Sequence, residues 1–184
     1  MKNNFMVDIE TLGTRSYSII LSIGVVAFDL KTGNTGDEFY RTIDVASSKE
    51  VGLTSDASTV EWWRKQDKSV RDALTKNTAH IHQVLTQLLA WFDMQTYERF
   101  MWGNSARFDL GLLENAYERC KLIPPWAYYN ERCCRTIVAL NPEIKNSLPK
   151  PTGAHHPIID CKHQIDYIVK TIQSHEGKEN NNLV

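Results

Sequence analysis

The first 43 residues carry three runs rich in β-branched and aromatic side chains, FMVDI (5–9), IILSIGVVAF (19–28) and EFYRTI (38–43), and the pattern changes abruptly after them. The cluster KTGNTG (31–36) between the second and third runs reads as a hairpin connection, so the three are predicted to form a meander. From Ser58 the apolar period becomes helical. STVEWWRKQDKSVRDAL (58–74) reads as a helix with Ser58 or Thr59 at its N-cap, and HIHQVLTQLLAWFD (80–93) places Ile81, Val84, Leu85, Leu88, Leu89 and Phe92 on one stripe. RFMWGN (99–104) is a short strand that feeds the amphipathic helix FDLGLLENAYERC (108–120).

The segment KLIPPWAYYNERCC (121–134) reads as loop at its prolines, and RTIVALNP (135–142) as a short helix or strand ended by Pro142. NSLPKPTGAHHP (146–157) is a Pro/Gly-rich connection, and the last helix begins at Pro157. Strands, helices, a further strand and more helices predict an α/β class, a central mixed sheet flanked by helices. With 184 residues and 42% hydrophobic side chains, one core is sufficient. The expected organisation is a single domain over 1–176 and a disordered polar tail over 177–184.

A formal net charge of −1 argues against a broad basic surface that coats duplex DNA, so any polyanion would be held locally. No run approaches the roughly 18 apolar residues of a membrane span, and MKNNFMVDIE lacks the apolar core of a signal peptide. The expected location is cytoplasmic, with no membrane partner. Cys120, Cys133, Cys134 and Cys161 show no C-x-x-C spacing, which points to reduced structural thiols rather than a zinc site.

Chemistry enters with Asp8 and Glu10. On a strand, residues i and i+2 face the same way, so the two acids project together while Val7 and Ile9 point to the other face. Like charges at that spacing need solvent, a shared proton or a cation to offset their repulsion. Hard divalent ions prefer such oxygen clusters. Two more stretches add candidates. NSARFD puts Asp109 just beyond a strand end, where ligands of open α/β sheets bind, and HHPIID puts His155 and His156 shortly before Asp160 in the first turn of the last helix. Taken singly, Asp109 and Asp160 are also ordinary acids of a helix N-terminus.

DIET (8–11), NSARFD (104–109) and HHPIIDCKHQ (155–164), in this order, resemble the three motifs of the DnaQ-like, or DEDDh, 3′–5′ exonuclease superfamily. STVEWWRKQ (58–66) and DCKHQ (160–164) resemble its RNase T-like branch of phage and prophage exonucleases, related to exonuclease VIII. The resemblance implies an RNase H-like fold and a hydrolase that releases nucleoside 5′-monophosphates from the 3′ end of DNA or RNA. It implies two divalent ions, Mg²⁺ or Mn²⁺, held by Asp8, Glu10, Asp109 and Asp160, with a histidine as general base. It further implies substrate contacts at Thr11, Leu12 and Gly13, with Leu12 wedged against the last base. Phe108 is a candidate for stacking on a base, and of Trp62 and Trp63, which point about 100° apart on a helix, one is expected in the core and the other along the substrate groove. Arg15 and Arg107 are candidates for phosphate contacts or solvated surface charges. The partner would be a nucleic acid with a free 3′ end, single-stranded or overhanging, acting in a bacterial host cell if phage-encoded, and a homodimer is a further expectation from this branch. The alternative is a catalytically degenerate module of the same fold that binds ends without cutting.

The family pattern places the histidine five residues before the last acid, which selects His155. Helix geometry alone favours His156, because i and i+4 share a face. Pro157, standing where the family usually has a small residue, suits the first helical position and makes His156 the N-cap, leaving His155 in the loop.

Overall fold

The computed structural model describes residues 2–95, 98–153 and 155–181. A five-stranded sheet has the order β3-β2-β1-β4-β5, formed by β1 (Asn4–Thr11), β2 (Ile20–Phe28), β3 (Thr35–Thr42), β4 (Phe100–Gly103) and β5 (Glu131–Cys133). The first three strands are an antiparallel meander, whereas β1–β4 and β4–β5 are parallel, so the sheet is mixed as expected. Between them run α1 (Val45–Glu50), α2 (Ala57–Arg64), α3 (Lys68–Leu74), α4 (Ile81–Asp93) and α5 (Ala106–Arg119). After β5 come α6 (Cys134–Val138), α7 (Pro142–Ser147) and α8 (Pro157–Asn181).

The two faces of the sheet carry two cores. Phe5, Val7 and Ile9 of β1 pack with Ile23 and Val25 of β2 and with Val84, Leu88 and Phe92 of α4 and Leu113 of α5. Met6, Val26 and Phe28 pack on the other face with Ile158, Cys161, Ile165 and Ile168 of α8. The period-2 alternation of β1 therefore puts Asp8 and Glu10 on the α8 face, in line with Met6. β2 is buried along its whole length because it lies between neighbours and under helices on both sides.

Several sequence expectations need correction. The helix expected over 58–74 is two, α2 and α3, interrupted at Lys65–Asp67, and the residue preceding α2 is Asp56 rather than Ser58 or Thr59. Asp56 makes no side-chain cap. Its carboxylate instead accepts from the Thr14 N–H at 3.1 Å and its own N–H donates to the Leu12 carbonyl, which ties the start of α2 to the loop after β1. Within the predicted loop lies β5, a three-residue parallel strand too short to show any period. The last helix continues through the first part of the expected tail to Asn181, and residues 182–184 lie outside the described residues. The four cysteines are free, and no described helix is long and apolar enough to cross a membrane.

Candidate active site

Two close approaches bring the motifs together. Asp8 pairs with Gly24 across the β1–β2 ladder, and a Cβ on Gly24 would stand 2.5 Å from the Cβ of Pro157 and 2.8 Å from its carbonyl carbon. Only glycine lets the first turn of α8 rest on the sheet here, beside Asp8. Likewise a Cβ on Gly103, the last residue of β4, would lie 2.9 Å from the Cβ of Asp109, so the first turns of α5 close down on the strand end. A register shift between Glu10 and Thr11 re-aims the end of β1 at the same point.

Asp8, Glu10, Asp109, His155, Asp160 and Gln164 line one cavity of about 490 Å³. The Asp8 carboxylate accepts from Gln164 Nε2 at 2.8 Å. Asp109, 3% exposed, accepts from the Ser105 N–H at 3.1 Å. The His155 N–H donates to Asp160 Oδ2 at 2.8 Å, and His155 Nδ1 stands 3.9 Å from Glu10 Oε1. His155 has φ 68°, a left-handed conformation uncommon outside glycine, which turns its N–H to Asp160 and its ring toward Glu10. His156 is elsewhere: its ring stacks on Tyr40 of β3 with centroids 4.5 Å apart.

The acids are under electrostatic load. Burial, followed by the charges of Asp109, Glu10 and Asp160, pushes the Asp8 carboxyl far above the carboxylate range. Glu10 is pushed up to about 8 by burial and then by Asp160 and Asp109, and Asp109 up to about 7 by burial. Asp160 is raised by burial against the opposing His155 N–H. Clustered hard oxygens short of positive charge fit divalent cations. The ligand atoms of Glu10, His155 and Asp160 all lie within 4.8 Å of one another. No cysteine belongs to that group.

A pH dependence follows. Acids that hold protons more tightly when folded contribute stability at low pH that is lost as pH rises through the folded pKa. In a metal chelator the melting temperature is expected to fall between about pH 4.5 and 8, the ordinary and shifted values of Glu10. A divalent ion, which binds the ionised acids, should restore stability increasingly over the same window. A metal-free melting temperature that climbs from pH 5 to 8 would contradict the electrostatics.

Of the predicted substrate residues only Phe108 lines this cavity, and Thr11, Leu12, Gly13, Trp62 and Trp63 do not. Trp63 is in the core, 6% exposed, and donates Nε1 to the Thr11 carbonyl at 2.8 Å, while Trp62 is 42% exposed with its ring 5.1 Å from that of His155. The Leu12 N–H donates to Ile19 and its carbonyl accepts from Asp56, and Thr11 Oγ1 donates to the Gly13 carbonyl, so much of this loop's polar backbone is engaged internally. Leu12 is half-buried on the core. Phe108 and Thr14 line both the acidic cavity and a groove of about 960 Å³ that also holds Arg15, Tyr17, Arg107 and Ile123. Neither Arg15 nor Arg107 has an ion-pair partner among the described residues.

Several cavity residues are not expected from the sequence, among them His163 and Tyr167 of α8, Asn104 after β4, and three whose placement is instructive. Gln164 lies four residues after Asp160 on α8, and the i, i+4 rule would have placed it on the same face. Arg135 of α6 and Lys145 of α7 had no such signal, because they arrive through β5 and two short helices whose order no period reveals.

Residues 3–172 match the family described as 3′–5′ exoribonuclease Rv2179c-like domain. The chain belongs to that family. It is thereby a 3′–5′ exonuclease domain, a hydrolase. This Rv2179c-like domain is similar to an exodeoxyribonuclease of Enterobacteria phage T4, 22% identical over 200 residues that cover 88% of the chain and 86% of the phage protein. Among solved structures it is similar to E. coli exonuclease I in complex with single-stranded DNA, at a TM-score of 0.68, 16% identity, 93% of this chain and 41% of that one. It also resembles the nuclease domain of 3′hExo, a DEDDh family member bound to rAMP, at a TM-score of 0.62, 14% identity, 93% of this chain and 92% of that one. The Rv2179c-like domain thus spans 40% or so of the exonuclease I chain. At these identities the likeness is one of fold, and it is the RNase H-like fold.

Proposed function

We propose that this Rv2179c-like domain is a divalent-metal-dependent exonuclease that removes nucleoside 5′-monophosphates one at a time from the free 3′ end of a single-stranded or overhanging polynucleotide. The observation that carries this reading is the convergence of four acids and two histidines, His155 and His163, from three distant motifs in a single cavity that runs on into a longer groove. A small phosphate ester would need only the first. A polymer uses both, and exposed aromatic and arginine side chains along the groove suit bases and phosphates.

Asp8, Glu10, Asp109 and Asp160 are the residues that would hold two Mg²⁺ or Mn²⁺ ions. When bound, such ions supply positive charge to the attacking and departing oxygens of an in-line displacement. The chain's own part is to hold, align and move protons. Gln164 fixes the Asp8 carboxylate, and Ser105 fixes that of Asp109. His155, beside Glu10 and braced edge-on by Trp62, takes a proton from the attacking water. Phe108 flanks the cavity where the terminal nucleotide would lie, and Leu12, in the loop after β1, would wedge against its base. Placement in the RNase T-like branch is part of the same proposal, supported by the Trp62–Trp63 pair beside His155 and by the contribution of Gln164 to the site. The free cysteines suit the reducing cytoplasm we propose as its compartment.

The test is a side-by-side time course on 5′-labelled single-stranded RNA and DNA with Mg²⁺ or Mn²⁺. The expected result is a ladder shortening from the 3′ end with release of 5′-monophosphates. Retention of labelled ends without shortening would replace the enzyme reading by an end-binding one. In the same assay His155→Ala is expected to slow cleavage about 10²–10⁴-fold at pH 7, the usual worth of a general base. His156→Ala, which removes a ring stacked on Tyr40, should act mainly on stability. The reverse ranking would reassign the base.

A further inference from the structure

The acidic cavity has a cationic rim that forms no ion pair with its carboxylates, although the burial-driven rise of Asp109 is opposed by the Arg135 charge. Arg135, in the second position of α6, and Lys145 on α7 both line the cavity, and neither forms an ion pair among the described residues. They are nonetheless held in place. The Arg135 N–H donates to the Asn104 carbonyl at 3.3 Å, immediately after β4. Lys145 Nζ sits 5.0 Å from the centroid of the Tyr167 ring, and the Tyr167 hydroxyl meets Asn104 Oδ1 at 3.4 Å. Asn104 therefore links both cations to the strand end that carries the second motif. Long cationic side chains beside four acids would ordinarily collapse onto them. Here Lys145 is held over the Tyr167 ring and the backbone of Arg135 is tied to Asn104, so that neither closes into an ion pair and both charges face something that enters.

We propose that Arg135 and Lys145 form an anion subsite for the phosphate of the terminal nucleotide, first as the scissile diester and then as the product 5′-monophosphate. The inference rests on the exonuclease reading above. In the reaction, the water oxygen forms a bond to phosphorus and the bond from phosphorus to the 3′-oxygen breaks. One water proton goes to the His155 imidazole, the departing 3′-oxygen takes one from solvent, and the second water proton, left on the new monoester, passes largely to solvent near neutral pH because its second pKa is about 6. The phosphate consequently passes from one negative charge to nearly two inside a cavity already lined by four carboxylates. Two further cations at the rim offset that gain, and the planar guanidinium of Arg135 matches two phosphate oxygens at once.

The experiment measures adenosine 5′-monophosphate and its deoxy form by calorimetry in Ca²⁺, with the two nucleosides as phosphate-free controls, for wild type, Arg135→Gln, Lys145→Gln and Arg135→Lys. Mn²⁺ affinity is measured separately on each without nucleotide. Both positions are exposed, so folding should be retained, and melting curves check it. The expected result is a roughly tenfold loss of monophosphate affinity in each Gln variant, no change for the nucleosides, partial recovery in Arg135→Lys, and Mn²⁺ affinity equal to or tighter than wild type. Kinetically, kcat should fall more than KM rises. Unchanged monophosphate affinity together with tighter Mn²⁺ binding would mean that the cations merely offset the carboxylates, and would overturn the subsite. If the wild type itself neither shortens oligonucleotides nor prefers monophosphate to nucleoside, the exonuclease reading fails instead, so the two failures are distinct.

Discussion

Asp8→Asn is expected to lower digestion by about 10³-fold or more and, in the same preparation, to raise the melting temperature of the metal-free protein. The two effects have one cause. Asp8 lies under burial and under the charges of three other acids, which together disfavour its ionised form. Asparagine has nearly the same shape, and its Oδ1 can still accept from Gln164 Nε2, as the carboxylate does at 2.8 Å. The fold therefore keeps its hydrogen bond and loses its repulsion. What disappears is the charge that attracts a dication. The gain in melting temperature should be larger at pH 8 than at pH 5, because the buried acids are more ionised there, and the further rise on adding Mn²⁺ should shrink. Digestion at the wild-type rate would remove Asp8 from the mechanism. A fall in metal-free stability at pH 8 would contradict the description of the site as electrostatically loaded.

Gly24→Ala tests the architecture rather than the chemistry. The new methyl group would sit 2.5 Å from Pro157 Cβ and 2.8 Å from the Pro157 carbonyl carbon. One neighbour is a ring atom and the other is backbone, so no flexible side chain can swing aside. The start of α8 must move off the sheet, carrying His155 and Asp160 away from Glu10. Overpacking of this kind costs about 1–3 kcal/mol of stability, and a displacement near 1 Å at reacting groups costs about 10²-fold in rate. The expected outcome is a folded protein with a lowered melting temperature, a weakened metal-induced shift and little digestion. Full activity with an unchanged melting temperature would show that the close approach of α8 to β2 does not position the site.

Short-range periods carried much of this molecule. Alternation along FMVDIE put Asp8 and Glu10 on the face opposite Val7 and Ile9, and the α8 face of β1 is where both lie. The apolar stripe of residues 81–93 became α4 with Ile81, Val84, Leu85, Leu88 and Phe92 buried and Leu89 partly so, and the three-strand meander formed with its expected order. The proline at position 157 begins α8, leaving His155 in the preceding loop. Other features were invisible for physical reasons. A three-residue parallel strand such as β5 has no room for a period. The start of α2 lies earlier than Ser58, where the Asp56 carboxylate turns to the Thr14 N–H, a tertiary partner that no local cap rule anticipates.

The residues that carry charge and the faces from which they project were thus set by the chain itself, because backbone geometry makes side-chain direction a local property. Their meeting was decided only by tertiary packing. Asp8 and Gln164 touch across 156 positions of sequence, and Glu10 and His155 come within 3.9 Å only because Gly24 lets α8 lie directly on the sheet. The cost of bringing such distant groups together is offset by burial of the two cores, and it is those cores, rather than the motifs, that determine how closely the acids approach.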